Sequence, residues 1–437
     1  MSPPPPASPS RLPPDGSGEA DHAPRGAGGR APALTFIFIA ALLDIIGIGI
    51  VVPVMPRLVA ELGAAGDLSA AAWWVGLSMT LYTSVQFLCA PLLGALSDQW
   101  GRKPVLLATS AVAALGYFGT AWAPTLGWYL ASRALGGFGG ASLSVATAYI
   151  ADVTPPEKRA QGFGMIGAAF GLGFILGPAI GGLLGASDMR LPFLAAAAVC
   201  AANFLFGLFV LPESHRAEHR RPFTWGAANP LRWVATLRQH PVVAGLAIAM
   251  IWQGLGHQCL QSNWALYTAH RYQWTPRDVG VSLACVGLGA AVVQGGLIRV
   301  LLPRLGERRA IVGGLSLSLV AMILYGLAPQ GWMIYPVLVV ASLAGIAGPA
   351  MQAQVSARIA PHQQGAVQGS LASLMSLTGV VGPVVANAVF GFATGPSTPV
   401  RVDGAAFFLG ATLMAIGLMQ VLRVFRREPA PRRAEAA

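Results

Sequence analysis

The stretch ALLDIIGIGIVVPVMP, residues 41–56, sets a single aspartate, Asp44, in a run of aliphatic residues and glycines. An ionised carboxylate at the centre of a bilayer costs about 2.5–3.5 kcal/mol on insertion scales, so its presence there needs a functional reason. One base stands in comparable surroundings, Arg133 in LASRALGGFGGA. Charges inside a membrane pair with one another and mark ion and proton pathways. Asp44 and Arg133 are therefore expected to meet near the midplane. A movement that separates or screens them would switch the proton affinity of Asp44, which is the minimum machinery for coupling to a proton gradient. A static structural pair is the simpler alternative.

Other polar side chains fall within apolar stretches and are candidates to line a substrate cavity: Gln86, His257, Gln258, Gln261, Asn263, Gln294 and Asn387, with Trp264 as a stacking wall. His257 is read first as a hydrogen-bonded packing residue and second as a proton carrier. Cys89, Cys200, Cys259 and Cys285 also lie in apolar stretches, without metal-ligand or disulfide spacing, and read as small core residues. No metal site and no cofactor are expected.

The elements that must hold these residues follow from composition. Of 437 residues 54% are hydrophobic and 10% charged, against about 25% charged in a soluble protein. A helix needs about 20 apolar residues to cross the hydrocarbon. Twelve stretches qualify, near 33–55, 73–96, 104–124, 126–150, 160–184, 191–211, 241–267, 279–302, 310–328, 332–355, 365–392 and 404–424. We number them as spans one to twelve. The fold class is an all-α membrane protein of two six-helix halves, 33–211 and 241–424. A Pro- and Gly-rich disordered tail (1–32), a polar linker (212–240) and a short tail (425–437) complete the chain. With the N-terminus inside, 22 Lys and Arg fall on inner segments and 5 on outer loops, and Arg133 is left within span four. The positive-inside rule then places both termini and the linker in the cytoplasm. The same scatter accounts for the net charge of +11 without a nucleic-acid partner. Trp73, Trp74, Trp122, Trp128, Trp274 and Trp332 fall at outer span ends, where an interfacial belt belongs.

The halves read as a duplication. Gly164, Gly177 and Pro178 of span five match Gly369, Gly382 and Pro383 of span eleven, each 205 residues on; the same offset carries the inner loop at 94–104 onto 299–309, with Gly101 on Gly306 and Lys103 on Arg308. Transporters are often built from such repeats, with the site between them. In the first loop Asp98 and Arg102 lie four apart, and Gly94 and Gly101 permit tight reversal. Asp98 is expected to latch an inner gate by accepting from a neighbouring helix N-terminus while pairing with a base. The second copy has Pro303 opposite Asp98, so the latch is one-sided. Span five spaces Gly173, Gly177 and Gly181 four apart, which allows close helix contact. Gly177-Pro178 adds a break that suits a bend pivot.

Together these segments resemble one family. GALSDQWGRK (94–103) resembles the loop signature between spans two and three of the major facilitator superfamily, and Arg133 its span-four arginine motif. GLGFILGPAIGG (171–182) resembles the span-five signature of drug/proton antiporters, and LDIIGIGIVVPVMP (43–56) the first span of the tetracycline-efflux branch. Gln99 departs from the family, which usually has a basic residue there. The resemblance implies proton-coupled export of amphipathic drugs from a bacterial-type inner membrane, by a chain expected to be a monomer. It also implies further titratable groups in spans three, eight and nine of tetracycline exporters, where this chain has Gly116, Ala290 and Ser318. A facilitator of a sugar or other metabolite is the alternative, though its spans should carry more polar groups than these. An enzyme or ATP-driven pump is excluded: Lys103 and Lys158 are the only lysines, neither in a phosphate-cradling loop, and no zinc-protease pair or nucleophile elbow is present.

Overall fold

The computed structural model describes residues 30–63, 66–153, 159–214, 241–359, 364–395, 398 and 400–427. Most of the tail, linker and C-terminal stretch marked out above therefore lies outside the described residues. Helices occupy all twelve predicted spans, and the described residues contain no strand. Among the described residues, nine helical segments are each long and apolar enough to cross a membrane. Span one is a bent pair, Phe38–Val51 and Met55–Gly63, turned by 49°. Span four is two helices end to end, Leu126–Gly140 and Ser142–Val153. Span five runs Arg159–Ser187. Large apolar side chains such as Phe209 and Phe392 point outward with little cover, as lipid-facing residues must. Trp73, Trp122, Trp128 and Trp332 are exposed in keeping with a belt. Trp274 instead packs against Tyr272 and Tyr335.

The 205-residue offset reappears in the backbone. Gly101 and Gly306 both take positive φ, 105° and 75°, where the inner loops turn into spans three and nine. Both are positions where a side chain would be strained. The break in span four at Ala141 corresponds to the break in span ten at Gly345–Ile346. Pro178 and Pro383 each sit inside a continuous helix. Pro91 of span two corresponds to Gly296, which lies in a π-helical turn, Val293–Leu297, of span eight.

The two halves meet along two seams that gather toward the predicted outer end. Spans five and eight approach backbone to backbone: a Cβ on Gly182 would stand 3.0 Å from the Cα of Gly280, and one on Gly280 would stand 2.5 Å from the carbonyl of Pro178. Spans two and eleven are joined by hydrogen bonds. Thr394 donates to Ser69 (3.1 Å), Thr80 to the carbonyl of Val380 (2.7 Å) and Thr83 to that of Gly379 (2.7 Å). Arg57 adds a bond to the Trp274 carbonyl at 2.7 Å. At the inner ends Gly94 and Gly306 face open space. The molecule is thus closed at its predicted outer end.

One of these bonds follows from a proline. Pro383 has no N–H, so the carbonyl of Gly379, four residues earlier, lacks its helical donor. In hydrocarbon such an orphan must be satisfied by a neighbour. Thr83 has alternative acceptors in its own helix, the carbonyls of Met79 and Thr80, at 2.9 and 3.2 Å. The Gly379 carbonyl is the nearest and the one left without a donor, so the hydroxyl crosses the seam.

Thr83→Val should therefore weaken the outer-closed state by about 0.6–2 kcal/mol, a roughly 3- to 30-fold shift in the conformational equilibrium. Thr80→Val should do less, because Val380 keeps its helical donor, Val384. Spin labels at Ala70→Cys and Val400→Cys, read by pulsed dipolar spectroscopy, give the check. Equal shifts for the two variants would rule out the proline-freed carbonyl as the cause.

Candidate functional site

Asp44 lies in the first helix of span one, half-buried. Ser142 Oγ donates to its Oδ2 at 3.0 Å and Asn203 Nδ2 to its Oδ1 at 2.9 Å. Ser142 is there because the glycine-rich GGFGGAS breaks span four, making it the first residue of the inner helix. The same glycines bring neighbours close. A Cβ on Gly137 would stand 2.4 Å from the Tyr82 carbonyl, one on Gly140 2.2 Å from the Tyr82 hydroxyl, and one on Gly139 2.6 Å from Ala113. Asn203 comes from span six and also donates to the Ala40 carbonyl at 3.3 Å.

Arg133 does not pair with Asp44. Its guanidinium lies over the Tyr82 ring, 4.4 Å from the centroid, buried, and its Nε has no partner among the described residues. The expected ion pair is corrected on physical grounds. A desolvated cation on an aromatic face gains about 2 kcal/mol, and two neutral donors already occupy the carboxyl. Tyr82 also lines a cavity together with Asp44. That cavity, about 170 Å³, is walled by spans one, two, three, four and six of the first half.

The inner loop forms a second cluster. Arg102, buried, pairs with Asp98 at 2.6 Å and Asp152 at 3.0 Å and bonds the Ser97 hydroxyl. Asp98 is 45% exposed. The helix N-terminus here is capped by Glu213, which accepts from Arg102 N at 2.8 Å and Lys103 N at 3.2 Å. Lys103 Nζ bonds the Leu208 carbonyl at 3.0 Å. The acceptor at a helix N-terminus is thus Glu213, and Asp98 serves as a counter-charge within its own half. In the second half Glu307 and Arg358 both bond Gln354, and Arg308 lies over the Phe425 ring.

The glycines of span five are a contact surface toward span one. A Cβ on Gly173 would stand 2.6 Å from Ile45, one on Gly177 2.8 Å from Gly49, and one on Gly181 1.9 Å from the Ile50 carbonyl. Pro178 reaches Gly49 from the same side. The stripe therefore seats the helix that carries Asp44.

The cavity candidates divide. His257 and Gln261 are exposed and lie one turn apart on span seven. Gln258 packs on a shelf made by Gly379 and Gly382 of span eleven. Gln294 is exposed on the π turn of span eight, and Gln86 donates to the Gly140 carbonyl at 2.8 Å. Asn263, Trp264 and Asn387 are buried packing residues, not cavity lining. Trp264 donates to Ser282 at 2.9 Å and meets Tyr325 edge-on; Asn263 and Asn387 each bond a carbonyl one turn back in their own helix. Residue type marked them, but their rotation about the helix axis sends them inward. Sequence reasoning missed Ser142, Asn203, Tyr82, Asp152 and Glu213. Asn203, an amide in the apolar CAANFLFGL, carried the same signal as Asp44.

A duplicated twelve-span membrane bundle with two seams and a half-buried acid within a span defines a small-molecule carrier rather than an enzyme. The model of the Major Facilitator Superfamily matches residues 37–383 and 246–437, and the chain belongs to that family. It is 38% identical to the tetracycline resistance protein, class C, of Escherichia coli over 391 residues, 90% of this chain and 96% of that protein. It is 36% identical to the class G protein of Vibrio anguillarum, covering 91% and 98%. Among solved structures, the human organic anion transporter MFSD10 matches with a TM-score of 0.67 at 28% identity, covering 90% and 99%. A bacterial homologue of the lysosomal transporter Spinster, inward-facing and occupied, matches the fold with a TM-score of 0.74 at 16% identity, covering 92% and 98%. The chain is thus a multi-pass integral membrane transporter of the tetracycline-efflux-like group.

The packing of span five on span one predicts a graded series. Gly181→Ala should lower the thermal stability of the detergent-solubilised protein, in line with an overpacking cost of about 1–3 kcal/mol. Gly171→Ala, where an added Cβ meets nothing within 4 Å, should leave it unchanged. Equal unfolding temperatures for the two variants would exclude the close contact.

Proposed function

We propose that this chain exports amphipathic drugs in exchange for protons. It would act as a monomer in a bacterial-type inner membrane, with both termini and the linker in the cytoplasm. The observation that carries the reading is Asp44, the one acid within any span, held by neutral donors beside a cavity in a carrier related to tetracycline resistance proteins. Arg133 and Tyr82 supply the charged neighbourhood that a moving span would bring nearer or withdraw. His257, Gln258 and Gln261 on span seven, with Gln294 and Gln86, are the proposed polar contacts for substrate. Asp98 and Arg102 would hold the inner end of the first half together through the cycle, and the Gly177-Pro178 step of span five would serve as its pivot.

The proposed substrate class is broader than tetracycline. At Gly116, where the resemblance implies a titratable group in tetracycline exporters, a Cβ would stand 2.9 Å from the Gly136 nitrogen and 3.1 Å from the Ser132 carbonyl. No larger side chain fits there without moving span four. Ala290 and Ser318 cannot titrate either.

Asp44→Asn keeps shape and hydrogen bonding but removes the exchangeable proton. Accumulation of a fluorescent cationic drug in everted vesicles energised by a pH gradient should fall at least about tenfold, at unchanged expression and unfolding temperature. Gradient-driven accumulation at the wild-type level would remove Asp44 from the coupling step.

A further inference from the structure

We propose that the cavity inside the first half is a hydrated proton passage from Asp44 to the inner face, separate from the substrate path between the halves, with Ser142 and Asn203 as positioning residues at its deep end. The inference rests on the coupling role proposed for Asp44 and adds the route.

The lining carries the argument. It comes entirely from the first half, and spans three and six, which contribute Ser110, Tyr117, Cys200 and Asn203, take part in neither seam. The cavity extends past Asp44 to Ala40, Leu107, Ala146 and Leu211, all on the predicted inner side of the half. Its volume of about 170 Å³ is below the roughly 300–1,000 Å³ of drug-sized pockets. It is ample for a few waters at about 30 Å³ each. The polar groups a water chain needs, two to four contacts per water, come from Asp44, Gln86, Ser110, Tyr117 and Ser142.

Asn203 and Ser142 fix the carboxyl at the end of this passage. Each donates to a different oxygen, and both donors are neutral. They therefore orient the group without a permanent counter-charge, and the remaining lone pairs stay open to water. The titratable and charged groups facing Asp44 are Tyr82 from span two, Tyr117 from span three and Cys200 from span six, with Arg133 of span four behind Tyr82. The proton balance is simple. A hydrated proton leaves Asp44 for the inner face once the outward-facing cycle has loaded it, and no bond to substrate is involved.

Two measurements on full-length protein in proteoliposomes separate the routes. Drug counterflow, the exchange of labelled for unlabelled drug at equal pH, needs the substrate path and no net proton movement. Drug-dependent proton flux, read with a trapped pH dye, needs both. A plug at the inner end of the lining, Ala146→Trp, with Leu107→Trp as an independent second, should cut proton flux at least about tenfold and leave counterflow within about twofold. Loss of counterflow with the flux in both plugs would overturn the separate route. Retention of both activities in both plugs would overturn the passage. Asn203→Leu and Ser142→Ala should move the pH profile of export by at least about one pH unit while counterflow persists, and Ser142→Thr, which keeps a hydroxyl, should restore the profile. An unmoved profile in Asn203→Leu would overturn the positioning role. Failure of the coupling reading itself registers separately, as proton flux that survives Asp44→Asn.

Discussion

Polar groups at membrane depth must be met by the protein itself, or by a cavity that it encloses, because the hydrocarbon offers no hydrogen-bond partner. That constraint explains features of this molecule that otherwise look unrelated. Asp44 takes donors from two other helices. Arg133, a buried cation without an acid beside it, lays its guanidinium on an aromatic ring. The carbonyl that Pro383 leaves without a donor draws a threonine across the boundary between the halves. In each case the partner lies on a different span, so satisfying the polar group also fixes how the helices pack. Apolar contact alone would not do this, since lipid tails compete equally for a leucine face.

The two halves share a backbone plan and differ in how they use it. Matching glycines with positive φ, matching prolines and matching breaks in spans four and ten give both halves the same hinges. The seams are unlike. Spans five and eight meet through glycines at near-backbone distance, with no side-chain hydrogen bond between them among the described residues. Spans two and eleven meet through hydroxyls that bond specific carbonyls. A glycine seam can roll or slide at small cost, whereas a hydrogen-bonded seam has preferred registers. Alternating access needs both properties, and here they sit on opposite sides of the molecule. The inner loops diverge in the same way: Arg102 gathers Asp98 and Asp152, while Pro303 removes the corresponding acid from the second half.

The number of helical spans and the 205-residue correspondence were legible in the sequence because each depends on local composition or on a fixed offset. The close packing of span five was legible too, since small residues four apart point one way whatever they touch. Partnerships were not. Asp44 and Arg133 were each recognised, yet their joint presence in apolar spans carries no information on the rotation of spans one and four. Ser142 reaches Asp44 only because four glycines break a helix one residue earlier. Glu213 caps span three from 111 residues away. Trp264, Asn263 and Asn387 show the converse: polar or aromatic type suggested a cavity, and helix rotation turned them into the core.

The geometry around Asp44 also bears on why its charge and that of Arg133 are kept apart in this outer-closed form. A buried carboxylate tied to a guanidinium gains attraction but loses freedom, because breaking such a pair costs about 3–5 kcal/mol. A carrier that loads and unloads a proton each cycle, as proposed for this one, would be poorly served by so deep a well. Two neutral hydrogen bonds hold the carboxyl against the same helices with a shallower one, since each contributes about 1 kcal/mol net. The arginine is held instead on the Tyr82 ring, and the glycines of span four let that ring lie against their backbone. The same glycines thus break span four at Ser142 and seat Tyr82 beneath Arg133, and so place both the acid's partner and the arginine's.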